Sequence, residues 1–329
     1  MRLISWTVPP SKERPPSRFS AGSKHPHFGA YIALGCVCFF WGTTYLGIRI
    51  AVQSISPSTL MAARYLASGL LLVIGALVRG TTFPDAREMS RTALYGVITI
   101  GLGTGSLAFA EQWVPSGLAS LFVTTQPFWL VGVEAITGRG LTPDIRNTQR
   151  LPKRSIAGMI VGLVGVAYLV TPGMTREARL GLSDMRNAFL LLQFGVVMWA
   201  IGSIGQRKLV TRAHPFVNGG IQQLATGLVF LAIAAFDGQA SHWTPGAIAA
   251  VAYLAIFGGV VGYSAYIFAM DRLPVAIVSV YTYINPIVAV LLGWLFYREQ
   301  LGWREIVAML VIFAGVSMVK GFSRNREAS

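Results

Sequence analysis

Few residues in this 329-residue chain have side chains suited to chemistry, and those few sit inside long apolar runs. Arg64 lies about two turns into one run, and Glu111 closes another. A guanidinium and a carboxylate at one depth can pair across a gate, or the guanidinium can take the anionic group of a ligand. A static ion pair or a snorkelling arginine is the plainer alternative. Gln126-Pro127 and Asn285-Pro286 place an amide beside a mid-run proline twice. Each proline removes a main-chain hydrogen bond and should kink its helix, so the freed carbonyls need partners and the kinks mark a cavity. The two amides either line that cavity or satisfy the broken backbone. Phe122, Gln126 and Trp129 share one helical face, as do Tyr281, Asn285 and Val288. Trp41 and Trp199 lie well inside their runs, in WGTTY and WAIGS, whereas tryptophans that anchor a helix gather at headgroup level. Their rings, with Tyr45 close by, can stack on a planar ligand or simply pack.

This is the chemistry of binding. No nucleophile has a base or metal ligand at catalytic spacing, and no G-x-x-x-x-G-K-[ST] phosphate loop occurs. His25, His27, His214 and His242 fall in the tail or at loop positions without metal-ligand spacing. Cys36 and Cys38 are two residues apart, on different helix faces, and read as small packing residues. The expectation is a protein that is not an enzyme and uses no cofactor or metal.

The elements that position these residues follow from hydropathy. Hydrophobic residues make up 53% of the chain and charged residues 12%, a balance foreign to water-soluble domains. The apolar residues form runs of roughly 20, the length of a helix that crosses a bilayer. Ten are read, at 29–52, 58–78, 92–113, 116–136, 155–171, 186–206, 215–236, 245–269, 274–296 and 303–321. They are solid instead of alternating, which argues for helices over a β-barrel. The expected fold is all-α, a polytopic membrane protein of ten transmembrane helices.

The chain also repeats itself. Phe109, Pro115, Ser120 and Pro127 recur 159 residues later as Phe268, Pro274, Ser279 and Pro286. Trp41, Arg49, Pro57 and Gly69 recur 158 residues later as Trp199, Arg207, Pro215 and Gly227. Five spans per copy is an odd number, so the second copy enters the membrane in the opposite direction: an inverted repeat, with a site at the interface of two bundles that rock. The repeat is imperfect at Arg64, whose mate is Gln222, and at Glu111, whose mate is Met270. Glu134 reads as an interfacial charge, with proton coupling as the alternative, and its mate is Gly293.

The net charge of +14 reads as orientation and not as nucleic-acid binding. Most of the 27 basic residues, among them Arg79, Arg87, Arg91, Arg139, Arg146, Lys153 and Lys320, fall in the tails and loops that are cytoplasmic if the N-terminus is inside. Both termini are therefore expected in the cytoplasm. The expected organisation is a disordered basic tail (1–28), a first repeat (29–171), a connecting loop (172–184), a second repeat (185–321) and a C-terminal tail (322–329). Residues 138–154 read as a basic, orientation-setting loop. Gly101xxxGly105, Gly158xxxGly162 and Gly258xxxGly262 permit close helix approach.

WGTTYLGIRIAV, SPSTLMAARYLASGLLL, AEQWVPSGLASL and YTYINPIVAVLLGWLFYREQLGWREIVAMLVIFAGVSMV together resemble the EamA family of the drug/metabolite transporter superfamily, near its YedA-like branch. The resemblance covers about residues 29–321 and implies a ten-helix, inverted-repeat secondary carrier of the cytoplasmic membrane, with amino acids or other small metabolites exported in characterised cases. It implies a central cavity formed by the first four spans of each half, with the fifth and tenth peripheral. Trp41, Gly42, Arg64, Pro127 and Pro286 match the family's pattern. Its acidic residue after the ninth span matches Glu299, but the aligned first-half position is Gly140, so Glu299 reads as a loop or helix-start residue.

The functional expectation is a secondary active transporter that exports a small metabolite, amino acid or drug-like compound by alternating access. A channel, or an importer of a small organic solute, is the alternative. Trp41, Tyr45, Arg64, Gln126, Trp199, Gln222, Tyr281 and Asn285 are the expected substrate-binding residues, and Glu111, Pro127 and Pro286 the gating or coupling residues. A small molecule and the lipid bilayer are the expected partners, with protons as a candidate coupling ion.

Overall fold

Polar residues placed between apolar runs start the helices. Ser56 accepts the amide of Thr59 at 3.2 Å ahead of Pro57, and its repeat mate His214 accepts the amide of Phe216 through Nδ1 at 3.2 Å ahead of Pro215. Asp85 caps with the amide of Glu88 at 2.8 Å, and its mate Thr244 with that of Ala247 at 3.2 Å. Each oxygen or ring nitrogen satisfies one of the amides a helix start leaves without a partner, and Pro at the first helical position gives up nothing.

A computed structural model describes residues 28–137, 153–170, 182–206, 213–273, 278, 280–298 and 302–326. The first half contains α1 (Phe28–Ala51), α2 (Pro57–Val78) and α3 (Ala86–Gly96), which runs through a π-helical stretch (Val97–Thr104) into α4 (Gly105–Ala110). It continues with α5 (Ser116–Val123), α6 (Gln126–Thr137) and α7 (Lys153–Val170). The second half contains α8 (Leu182–Gln206), α9 (Pro215–Phe236) and α10 (Pro245–Tyr253), which passes through a second π-helical stretch (Leu254–Gly262) into α11 (Tyr263–Arg272). It ends with α12 (Tyr281–Tyr297) and α13 (Trp303–Arg326). Among the described residues, six helices are long and apolar enough to cross a membrane: 28–51, 57–78, 86–110, 183–206, 215–236 and 245–270. The other apolar stretches are shorter, at 156–165, 281–297 and 306–315, or broken between α5 and α6, so the ten-helix all-α bundle is built from unequal pieces.

The halves meet about a pseudo-twofold axis. A Cβ added at Gly69 on α2 would lie 2.8 Å from the Leu224 backbone nitrogen, and one at its mate Gly227 on α9 would lie 2.7 Å from that of Leu66, the mate of Leu224. Such reciprocal contacts define an isologous crossing. The loop between α1 and α2 sits against the loop between α9 and α10, where the His242 amide donates to Ser54 O at 2.7 Å and the Ser56 amide to Ser241 Oγ at 2.9 Å. We call this the far face. On the opposite, near face, where α1 begins, the amide of Ala213 reaches Glu88 Oε1 and Arg79 lies over the Phe216 ring at 5.4 Å. Helix α2 therefore starts at the far face and α9 at the near face, which makes the repeat inverted.

The first helix of each half packs on the other half. Trp41, Thr44 and Gly47 of α1 meet Gly262, Gly258 and Leu254 in the second π-helical stretch; Trp199, Gly202 and Gly205 of α8 meet Gly103, Thr99 and Tyr95 at the first. Every pair in the second set is the repeat mate of a pair in the first. Helices α7 and α13 pack on each other through Gly162, Gly165 and Gly315.

Candidate functional site

Helix α1 carries the aromatic wall of the site. The Trp41 indole N–H donates to Gly258 O at 3.2 Å, and the ring lies 5.1 Å from both the Tyr266 and Tyr281 rings. The two tyrosines stand edge-to-face at 6.0 Å. Gly258 belongs to the second π-helical stretch, and the wide turn of a π helix is a frequent feature of functional sites. Two residues further along α1, Thr43 bonds the Tyr253 hydroxyl at 2.6 Å.

Arg64 approaches the same glycine from α2. Its side chain is 5% exposed, and its Cζ lies 4.8 Å from the centre of the Tyr65 ring. A Cβ added at Gly258 would lie 3.0 Å from Arg64 Nη2 and 3.0 Å from Thr44 Cγ2, so the missing side chain is what lets the guanidinium lie there. Nε and Nη1 are buried without a hydrogen-bond partner, and among the described residues no carboxylate pairs with Arg64. Glu111, fully buried at the end of α4, is tied instead to Arg49, whose Nη1 donates to the Glu111 main-chain carbonyl. Tyr45 is buried within electrostatic range of Glu111.

The prolines behave differently from each other. A kink at Pro127 in a continuous span was the expectation, but the helix breaks ahead of it, at Thr124–Thr125, where amides bond three residues back. Phe122, Gln126 and Trp129 consequently do not share one continuous helical face. Gln193 of α8 holds the break: its amide donates to Phe122 O at 3.3 Å, and its Oε1 accepts Thr125 Oγ1 at 3.0 Å and Trp129 Nε1 at 2.8 Å. Gln193 was missed because its mate is Gly35, so the repeat gives no hint, although a glutamine within LLLQFG is itself a signal. Pro286 lies within a continuous α12. There the Asn285 amide, oriented nitrogen first, donates to Cys38 O at 3.0 Å and Tyr281 O at 3.1 Å.

The expected residues divide into groups. Trp41, Tyr281 and Arg64 converge around the second π-helical stretch, with Asn285 one turn along α12. Trp199 packs on Gly103 beside the first stretch. Gln222, the mate of Arg64, donates to Gln206 Oε1 at 3.3 Å, and Gln206 reaches Thr99 Oγ1 at 2.9 Å. Gln126 is buried at the start of α6. Pro274, Glu299, Gly140 and Arg207, the side chain of Glu134, residues 1–27 and 327–329, most of residues 138–154 and most of 172–184 lie outside the described residues.

An inverted, duplicated helical bundle with a buried cation and aromatic wall between its halves has the form of a membrane transporter. The chain belongs to the EamA-like transporter family, whose model matches residues 28–171 and 186–320. It is 33% identical over 298 residues to the uncharacterized inner membrane transporter YedA of Escherichia coli strain K12, covering 89% of this chain and 90% of that one. It is 25% identical to the uncharacterized transporter YvbV of Bacillus subtilis, over 91% and 93% of the two chains, and 24% identical to protein PecM of Dickeya dadantii, over 87% and 92%. One solved crystal structure shares the fold, with a TM-score of 0.61 at 20% identity, covering 91% of this chain and 98% of that chain. The protein is a multi-pass membrane transporter and not an enzyme.

Proposed function

We propose that this transporter is a secondary active carrier that exports a small organic solute bearing a carboxylate or comparable anionic group, by alternating access across the cytoplasmic membrane, with both termini in the cytoplasm. Arg64 carries the reading: an arginine cannot shed its charge, and one buried among helices without a partner is the residue that meets an anionic ligand. Trp41, Tyr45 and Tyr281 supply apolar and aromatic surface for the body of the solute. Gln126, Asn285, Trp199 and Gln222 lie further along the path, and Glu111, Pro127 and Pro286 belong to the elements that gate it. The inverted repeat supports alternating access, because two pseudo-equivalent halves can exchange shapes. The orientation rests on the basic residues, and the direction of transport on the family resemblance.

The test is counterflow in liposomes with a panel of organic acids, amines and neutral solutes. Saturable counterflow of acids that disappears in Arg64→Ala, with the variant inserted at the same level, supports the reading. Normal kinetics in Arg64→Ala, transport of neutral solutes and amines alone, or large unitary currents would sink it.

A further inference from the structure

We propose that Arg64 binds a small inorganic anion of the size of chloride whenever no organic anion is present, and that the carrier therefore turns over as an exchanger, reorienting only with an anion on Arg64. The inference rests on the reading that Arg64 is the anion-binding group of the transport site.

Its starting point is a charge that is never turned off. Guanidinium stays protonated, so Arg64 cannot escape its surroundings by losing a proton as a lysine or carboxylate would. The side chain is 95% removed from solvent by its 5% exposure, and Nε and Nη1 make no hydrogen bond. The Tyr65 ring covers one side of the Cζ at 4.8 Å, while Nη2 faces Gly258, which has no side chain. Neither of the carboxylates toward the far face is hydrogen-bonded to Arg64. Arg49 holds the main-chain carbonyl of Glu111, and Asp237 at the far face accepts Ser58 Oγ and the Gln239 amide. No carboxylate among the described residues travels with Arg64.

The repeat supplies the control. Gln222 holds the mate position with a neutral amide bonded to Gln206, so the shared frame does not need a cation there. The charge belongs to the ligand. Desolvating a lone cation is costly, and an ion pair recovers that cost only when the partner is present. A carrier that reoriented without an anion would carry this penalty over its barrier, slowing the return by more than about tenfold. One anion leaving for one anion entering keeps the cycle electroneutral for a monovalent substrate.

The probe is radiolabelled chloride with the full-length protein in liposomes. Uptake into vesicles loaded with chloride should exceed uptake into vesicles loaded with a bulky sulfonate by at least about tenfold, and Arg64→Gln should abolish it. Chloride should also raise the thermal midpoint of the purified wild type relative to the sulfonate, and not that of Arg64→Gln. Should Arg64→Gln fail to fold, Gly258→Ala decides: its methyl crowds Nη2 without removing the charge, so the half-saturating chloride concentration should rise. Equal uptake with and without internal chloride overturns exchange. Absence of both uptake and thermal shift overturns the anion site. Organic-acid counterflow in chloride-free vesicles separates the two readings. If it succeeds while the chloride arms fail, only this inference falls; if it fails while chloride exchange depends on Arg64, the organic substrate class falls.

Discussion

Trp41, in the first half, donates its indole N–H to the carbonyl of Gly258, in the second, across 3.2 Å. This bond joins the helix that opens the chain to a π-helical stretch of the other half, and it lies beside the guanidinium of Arg64. It is a tie between halves and a wall of the site at once. A π helix widens its turn and weakens its own ladder, so an outside donor on Gly258 O helps fix a conformation the local sequence does not demand.

Trp41→Phe keeps a ring between Tyr266 and Tyr281 but removes the donor. The expected loss is about 1 kcal/mol of stability, read as a lower thermal midpoint in detergent. An unchanged midpoint would show that Gly258 O finds another donor.

Gln193→Leu strips the break between α5 and α6 of its side-chain partners. Phe122 O loses the amide, and Trp129 Nε1 and Thr125 Oγ1 lose their acceptor. Leaving such groups buried costs about 1–3 kcal/mol. Gln193→Glu should cost less, since a carboxylate still accepts from Thr125 and Trp129; thermal unfolding of the two variants side by side checks the order.

Gly69→Val and Gly227→Val each force a side chain onto the opposing backbone where α2 crosses α9. Both should lower stability by about 1–3 kcal/mol, and by similar amounts, because the two contacts are repeat mates. A cost at only one position would contradict the pseudo-twofold crossing.

His214 gives a pH dependence with a definite sign. Burial, and then the nearby Arg79 charge, lower its pKa from the usual value of 6.5. The fold favours neutral His214, whose Nδ1 accepts the Phe216 amide. The unfolded chain therefore takes up the proton first, so stability is full above about 6.5 and falls as pH drops through that value toward the lowered one. Among the described residues, Glu88 also comes to this end of α9, where it accepts the Ala213 amide. His214→Asn keeps a cap acceptor without a titrating ring, so its thermal midpoint should change less than that of the wild type between neutral and mildly acid pH.

Much of the frame was legible in the chain. Apolar runs of spanning length, and mates such as Trp41 with Trp199 or Gly69 with Gly227, announced a duplicated all-helical bundle, because bilayer thickness and duplication both leave marks in linear order. Pro57, Pro215 and Pro245 stand at helix starts for a local steric reason. The break near Pro127 was misplaced by a few residues, because its position depends on Gln193, which lies on another helix. The π-helical stretches at 97–104 and 254–262 left no readable signal, since they arise where α8 and α1 press glycine-lined surfaces against them.

At the site the division is sharper. Arg64 and Glu111 stood out by sequence as charges that break the repeat, yet sequence left open whether they pair. The fold sets Arg49 on the main-chain carbonyl of Glu111 and turns Arg64 toward Gly258. The sequence by itself determined the number and inversion of the spans and the family, because hydropathy and repetition are written residue by residue. Only the tertiary structure decided what the arginines meet. A long side chain reaches several residues on two or three helices, and its hydrogen bonds follow from how those helices are brought together.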